Sequence, residues 1–129
     1  MSKTQFKLIN INPPSNFTIT VANYRVGAGN QCYSNQETNV TFTVNCKNLV
    51  KSATLRVVWL DDYAKITLNN NTIMDYGYGD GSCHRNEHGT SDLSYSVPVS
   101  SLVEGTNYIN SYLIRYGNYG LIAYLDITY

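Results

Sequence analysis

Two groups of side chains late in the sequence could bind a metal ion. Cys83, His84 and His88 fall within six residues and are ligand types that zinc accepts. No CxxC pair accompanies them, so the four ligands of a structural zinc site are not in place and we expect no zinc. Asp75 and Asp80, with glycines between them, are weak candidates for calcium. Their spacing does not match a helix-loop-helix calcium loop, so a flexible polar turn is the preferred interpretation.

Residues that could carry out catalysis are scarce. Asp61 and Asp62 are adjacent carboxylates, but neighbouring side chains at a strand end point to opposite faces, which favours a role in a turn. The sequence contains no nucleophile elbow, no phosphate-binding loop and no HExxH segment. We therefore predict that the protein is not an enzyme and uses no cofactor.

Tyrosine is the unusual component of this sequence. There are 12 tyrosines against 3 phenylalanines and 1 tryptophan. Tyrosine combines a flat apolar ring with a polar tip, which suits surfaces that bind sugars or other proteins. A genome rich in AT codons would give the same composition, so this alternative stays open. The candidate ligand-binding residues combine aromatic faces with directional donors: Tyr76, Tyr78, His84, Arg85, Tyr116 and Tyr119.

The charge balance argues against nucleic acid as a partner. Nine basic and nine acidic residues cancel, so no field attracts nucleic acid or anionic lipid. No apolar stretch is long enough to insert into a bilayer, and no apolar run that would form a secretory signal follows Lys3. Two interpretations remain: an excised domain of an extracellular or cell-surface protein, or a virion component made in the cytoplasm.

Short runs of β-branched and aromatic residues, separated by clusters of turn-forming residues, predict the fold. The pattern is typical of an all-β antiparallel sandwich with about eight to nine strands, forming one domain over residues 1–129. A short helical turn is expected over Val99–Glu104. The predicted strands are Phe6–Ile11, Phe17–Tyr24, Val40–Val44, Ala53–Leu60, Tyr63–Leu68, Thr72–Asp75, Leu93–Val97, Asn107–Ile114 and Leu121–Thr128.

Alternate connections between antiparallel strands fall at opposite ends of a sandwich, which predicts where the loops meet. One end is expected to collect the Gly27–Thr38 loop, the Asp61-Asp62 corner, the Tyr76–Thr90 loop and the Gly117–Gly120 turn. The other end is expected to collect Cys46–Lys51, the Asn69–Asn71 turn and Pro98–Gly105. Because binding sites in sandwiches lie on loop clusters, we expect the ligand at the first end.

The same count of connections sorts the three cysteines. Cys32 and Cys83 fall at the loop-rich end, so in an oxidising compartment we predict a Cys32–Cys83 disulfide with Cys46 free. Three reduced thiols in a cytoplasmic protein are the alternative.

From Ala53 onward the sequence resembles a galactose-binding-like jelly roll. The resemblance rests on an Asp-Asp-Tyr strand that begins at Asp61, a Val-Glu-Gly-Thr-Asn turn that begins at Val103, and a Gly-Asn-Tyr-Gly segment that begins at Gly117. Asn70 stands where that family usually has glycine. The sequence is also similar to a domain of the conjugative mating-pair stabilisation protein TraN. That domain has a Cys-containing loop after the Asp-Asp-Tyr strand, and the resemblance matches this loop to Cys83–Glu87. The resemblance covers about 75 residues and implies a jelly-roll fold with ligand binding or cell–cell contact.

Together these observations predict a non-catalytic recognition or adhesion module. Its expected partner is a glycan or a cell-surface protein, bound through the loops at one end. The alternative is a structural assembly subunit of a virion or surface appendage, in which near-zero net charge favours association into a homo-oligomer.

Overall fold

The computed structural model describes the backbone of residues 14–61, 63–76 and 90–129, and their side chains except those of 26–35, 90–91 and 114–119. Every regular element in this part is a strand or a single 3₁₀ turn. None of the described helical turns is long and apolar enough to span a membrane. The strands are β1 (Phe17–Val44), β2 (Ser52–Asp61), β3 (Ala64–Leu68), β4 (Asn71–Tyr76), β5 (Thr90–Val97) and β6 (Gly105–Thr128).

Two long strands, β1 and β6, run through both sheets of a β-sandwich. The first half of β6 pairs with the second half of β1 and with β3, which gives a first sheet in the order β4-β3-β6-β1. The second half of β6 pairs with the first half of β1 and with β2, which gives a second sheet in the order β5-β2-β6-β1. All pairs are antiparallel. The result is two four-stranded sheets, or eight strands when each long strand is counted once per sheet.

Alternation along the strands builds the core between the sheets. Ala64, Ile66 and Leu68 of β3 are buried while the residues between them are partly exposed. In β6 the buried residues likewise come at every second position, because successive strand side chains point to opposite faces. The fully buried large side chains include Val21, Val44, Leu55, Leu60, Ile66, Leu68, Leu102, Ile109, Leu113, Leu121, Leu125 and Ile127.

The prediction of a loop over Gly27–Thr38 is wrong, and so is the prediction of a turn over Gly117–Gly120. Both segments are strand backbone in which β1 and β6 remain paired as they pass from one sheet to the other, with register shifts after Gly27 and after Tyr33. The two strands approach closely at Gly120, where an added Cβ would lie 2.7 Å from the carbonyl oxygen of Tyr24. Glycine here serves close backbone packing rather than a turn.

The predicted short turns are confirmed. Asn69 and Asn70 both have positive φ, 48° and 66°, in the two-residue connection between β3 and β4. A 3₁₀ turn spans Val99–Ser101, within the segment where a helical turn was expected. Asparagine tolerates the left-handed conformation because its short side chain hydrogen-bonds locally.

The strand pairing groups the connections at the ends of the sandwich. Asp61 pairs with Gly120, Tyr76 pairs with Ala64, and Thr90 pairs with Leu60, all where β1 and β6 pass between the sheets. We call this the crossing end. The opposite end holds the asparagine turn and the two 3₁₀ turns, where Asn69 donates to the carbonyl oxygen of Ser101.

Candidate functional site

A depression of about 340 Å³ lies on the outer face of the first sheet, away from the core. It runs across the outward side chains of β1, β3 and β6. The lining residues are Asn39, Val40, Thr41, Thr67, Asn70, Tyr108, Ile109, Asn110 and Tyr112. None of these side chains carries a charge at neutral pH, so the depression offers aromatic rings, amides and hydroxyls. We call it the sheet-face depression.

Tyr108 projects from the sheet-face depression with 61% of its surface exposed. Its backbone is fixed on both sides by the turn between β3 and β4. The Tyr108 N–H donates to Asn69 Oδ1 at 2.9 Å, and the Asn69 N–H donates to the Tyr108 carbonyl oxygen at 2.8 Å. These two hydrogen bonds therefore hold in place the backbone that carries the exposed ring.

Behind Tyr108, the fully buried side chain of Asn107 holds the end of the first sheet together. Its Nδ2 donates to the carbonyl oxygens of Val103 and Gly105, at 2.9 and 3.0 Å. Its Oδ1 accepts from the Val103 N–H at 2.9 Å and from Asn69 Nδ2 at 2.8 Å. All the hydrogen-bonding capacity of this buried amide is used, which rigidifies the backbone beneath the depression.

Asn110 lies at the centre of the sheet-face depression, on the strand between Asn39 and Thr67. Its Nδ2 donates to Glu37 Oε1 at 2.5 Å and also to Asn39 Oδ1. Within the described residues, Asn110 Oδ1 has no hydrogen-bond partner and is shielded from solvent. Because Asn39 accepts through its oxygen, its own Nδ2 group remains a donor at the exposed edge of the depression.

This set of groups fits a neutral ligand rich in hydroxyls. An aromatic ring packs against the apolar C–H face of a sugar, while amides and threonine hydroxyls exchange hydrogen bonds with its hydroxyl groups. Pockets of about 300 Å³ and above are large enough to take small ligands. The lining residues carry no charge, and the Glu37 carboxylate that accepts from Asn110 Nδ2 lies beside the lining rather than in it.

The residues predicted from sequence to bind the ligand lie at or near the crossing end where they are described. Tyr76 ends β4, and the backbones of Tyr116 and Tyr119 lie in β6 opposite Cys32 and Val26. Tyr78, His84 and Arg85 lie outside the described residues, so the composite site stays a prediction.

Tyr76 has a structural role that the sequence did not indicate. Its ring is partly buried against the core, on the same side of β4 as the buried Met74. Tyr95 of β5 packs against the same core, and burial raises the pKa of its phenol, with a smaller contribution from Tyr76. These two tyrosines therefore close the core where the edge strands of the two sheets meet.

The metal and disulfide predictions fall largely on residues that are not described. Asp75 is exposed on β4, and Asp80 and Cys83 lie outside the described residues. Within the described ranges, no three His, Cys, Asp or Glu side chains are grouped closely enough to hold a metal ion. The backbone of Cys32 pairs with that of Tyr116, while Cys46 has an exposed free thiol. The Cys32–Cys83 disulfide stays a prediction.

The outer face of the second sheet has a different chemistry, dominated by arginine. Asp126 accepts hydrogen bonds from Arg56 Nε at 2.6 Å and from the Thr18 hydroxyl at 2.7 Å. The hydrogen bond from Arg56 lowers the pKa of the Asp126 carboxyl, and the Thr18 hydroxyl adds to this effect. The Arg56 guanidinium also lies 5.2 Å from the ring centroid of Tyr124.

A second arginine–aromatic contact lies nearer the crossing end of the same face. The Arg25 guanidinium carbon is 4.3 Å from the ring centroid of Trp59, within the range of a cation–π interaction. The aromatic side chains Tyr124 and Trp59 are therefore each covered by an arginine. Tyr108, in contrast, presents its ring to solvent.

The sequence contains a signal for the sheet-face depression, and this signal lies in a strand rather than in a loop. In the predicted strand Asn107–Ile114, the polar or aromatic residues Tyr108, Asn110 and Tyr112 alternate with Ile109, Ser111 and Leu113. This alternation places Tyr108, Asn110 and Tyr112 together on the outer face.

Comparison with models of known protein families gives no match, and neither does comparison with curated proteins.

Proposed function

We propose that this protein is a non-catalytic recognition module that binds a neutral glycan across the sheet-face depression. The observation that supports it most directly is the exposed ring of Tyr108, held on a fixed backbone beside uncharged amides and hydroxyls. A ligand that fits this set presents both apolar C–H faces and many hydroxyl groups, which is the chemistry of sugars.

The rigidity of the depression supports this proposal on energetic grounds. The two bonds between Asn69 and Tyr108 and the four bonds of Asn107 fix the backbone before any ligand arrives. A site that is already ordered loses less conformational entropy on binding. Weak contacts with sugar hydroxyls can then contribute to affinity.

The test is an array of neutral and acidic oligosaccharides, followed by calorimetric titration of the strongest ligand. We expect a neutral oligosaccharide to bind, and Tyr108→Ala to weaken its binding at least about tenfold, which is about 1.4 kcal/mol. The matched control is Tyr124→Ala, which removes the same side chain from the same strand on the opposite sheet and should leave affinity unchanged.

Three outcomes would contradict the proposal: no oligosaccharide binds, Tyr108→Ala binds as well as the parent protein, or Tyr124→Ala has the larger effect. The crossing end is a second candidate surface for the same function, as predicted for Tyr78 and Arg85. If Tyr78→Ala abolishes glycan binding while Tyr108→Ala does not, the site belongs at the crossing end.

A further inference from the structure

The second half of β1, Gln36–Val44, forms one edge of the first sheet. Within the described residues, β1 pairs with β6 alone, so no described strand lies on the other side of this segment. Its register against β6 is regular over nine consecutive residues, from Gln36 opposite Leu113 to Val44 opposite Gly105. Such an edge presents a row of backbone donors and acceptors that another strand can pair with.

The other sheet edges carry features that oppose strand addition. The edge strand β4 is six residues long, carries Asp75 and has an extra residue, Ile73, that interrupts its register against β3. The edge strand β5 contains Asp92 in the left-handed conformation, with φ of 57°. The first half of β1 has a register shift between Thr20 and Ala22. Short strands, charges and bulges are the usual protections of an edge.

The segment Gln36–Val44 lacks these protections. It contains no proline and no lysine, and its single charged residue is Glu37. Its last six residues, Asn39–Val44, are uncharged and mostly β-branched or aromatic, which favours extended pairing.

We propose that this edge pairs with the same edge of a second copy of the chain, forming a two-fold symmetric dimer with one continuous eight-stranded sheet. Antiparallel self-pairing centred on Thr41 places Asn39 opposite Thr43 of the second copy and Val40 opposite Phe42. These are polar–polar and aliphatic–aromatic pairs on matching faces, which stabilise a sheet. Glu37 falls opposite Asn45, so no like charges face each other across the interface.

The dimer would change how the sheet-face depression is used, and this consequence rests on the proposed function. Asn39 and Thr41 lie both on the pairing edge and in the depression. The two β6 strands would be separated by three strand spacings, about 14 Å. Two copies of Tyr108 would then face the same side of one sheet, and a single oligosaccharide chain could contact both.

The test is the molar mass of the full chain over a wide concentration range, by sedimentation and light scattering without glycan. We expect a reversible change from 14.5 kDa to twice that value. Thr43→Lys, which introduces charge into the edge outside the depression, should raise the dissociation constant about tenfold. The matched control is Thr20→Lys in the first half of β1, which should dimerise like the parent protein.

Hydrogen exchange gives a second readout that locates the interface. Amides of Gln36–Val44 should exchange more slowly as the protein concentration rises, while those of β4 and β5 should not change. A monomer at every concentration would overturn the proposal, as would a dimer that Thr20→Lys dissociates and Thr43→Lys does not. Because no glycan is present, failure here leaves the test of the Tyr108 site unaffected.

Discussion

At the scale of single residues, asparagine takes over hydrogen bonds that the strands cannot make for themselves. Asn69 has left-handed backbone geometry at a turn, and its side chain reaches back to the N–H of Tyr108. Asn107 is 0% exposed and serves the backbone of Val103 and Gly105. The abundance of asparagine in the sequence therefore has a structural explanation at these positions.

The Arg56–Asp126 pair gives a prediction about pH. The pKa of Asp126 is lowered in the folded protein, so its contribution to the free energy of unfolding is present in full above the ordinary aspartate pKa of about 3.9. It is lost as the pH falls through the lowered value. Asp126→Asn should therefore destabilise the protein at neutral pH, and the difference from the parent should shrink below about pH 4.

Urea unfolding of the parent protein and Asp126→Asn at a series of pH values measures this difference. Both side chains are partly exposed, at 47% for Arg56 and 30% for Asp126, so added salt should also reduce it. A difference that is independent of pH would show that the charge of Asp126 does not carry the effect.

At the scale of elements, the close approach of β1 and β6 at Gly120 sets a steric limit. A Cβ there would lie 2.7 Å from the Tyr24 carbonyl oxygen and 3.1 Å from the Arg25 Cα, both backbone atoms that cannot move independently. We expect Gly120→Ala to lower the free energy of unfolding by about 1–3 kcal/mol, the usual cost of overpacking. Thermal unfolding measures it.

A suitable control for Gly120→Ala is Gly105→Ala, because an added Cβ at Gly105 meets nothing within 4 Å. Gly105 has a φ of 90°, so that variant reports backbone strain without a steric contact. If Gly120→Ala is as stable as the parent protein, the backbones of β1 and β6 can move apart enough to accept a Cβ at this point while the strands stay paired, and the predicted steric limit is wrong.

Local patterns in the sequence predicted the elements that depend on local physics. The alternation of apolar and polar residues in the sequence predicted most strands, and the structure buries the apolar positions. The conformational tolerance of asparagine predicted the turn at Asn69 and Asn70. The segments Gly27–Thr38 and Gly117–Gly120 were misread because glycine and asparagine are common both in turns and in irregular strands. Their pairing joins residues that are from 73 positions apart, for Thr38 and Ser111, to 95 positions apart, for Arg25 and Gly120, and no local pattern records it.

The candidate site was only partly predictable for the same reason. Alternation within Asn107–Ile114 fixes which side chains share a face of the strand, but not which strands lie on either side. That Asn39 of β1 and Thr67 of β3 flank Asn110 is a property of the strand order. The sequence predicted that tyrosines in loops bind the ligand. The described tyrosine with the most exposed ring, Tyr108, instead lies on a strand.

At the scale of the whole molecule, the two sheets share β1 and β6 and should unfold together. Ile66 is fully buried in the first sheet, while Trp59, the single tryptophan, lies in the second. Ile66→Ala should lower the free energy of unfolding by about 2–5 kcal/mol. Because the sheets are joined through continuous strands, Trp59 fluorescence should report the same lowered midpoint as circular dichroism.

The matched variant is Leu55→Ala, which removes a fully buried side chain from the second sheet. Both variants should shift both signals together. A Trp59 transition that stays in place in Ile66→Ala would mean that the sheets unfold as separate units.

The pairing of the outermost residues of β1 and β6 also determines how the molecule responds to mechanical force. Phe17 lies opposite Ile127, and the Tyr129 N–H donates to Asn16 Oδ1 at 2.8 Å. Tension applied through Asn16 and Tyr129 therefore pulls perpendicular to the paired strands and opens their hydrogen bonds one after another, as in unzipping. Anchored through these two points, the sandwich would yield at low force from this edge inward, and the depression at Tyr108 would be lost only after the second sheet had opened.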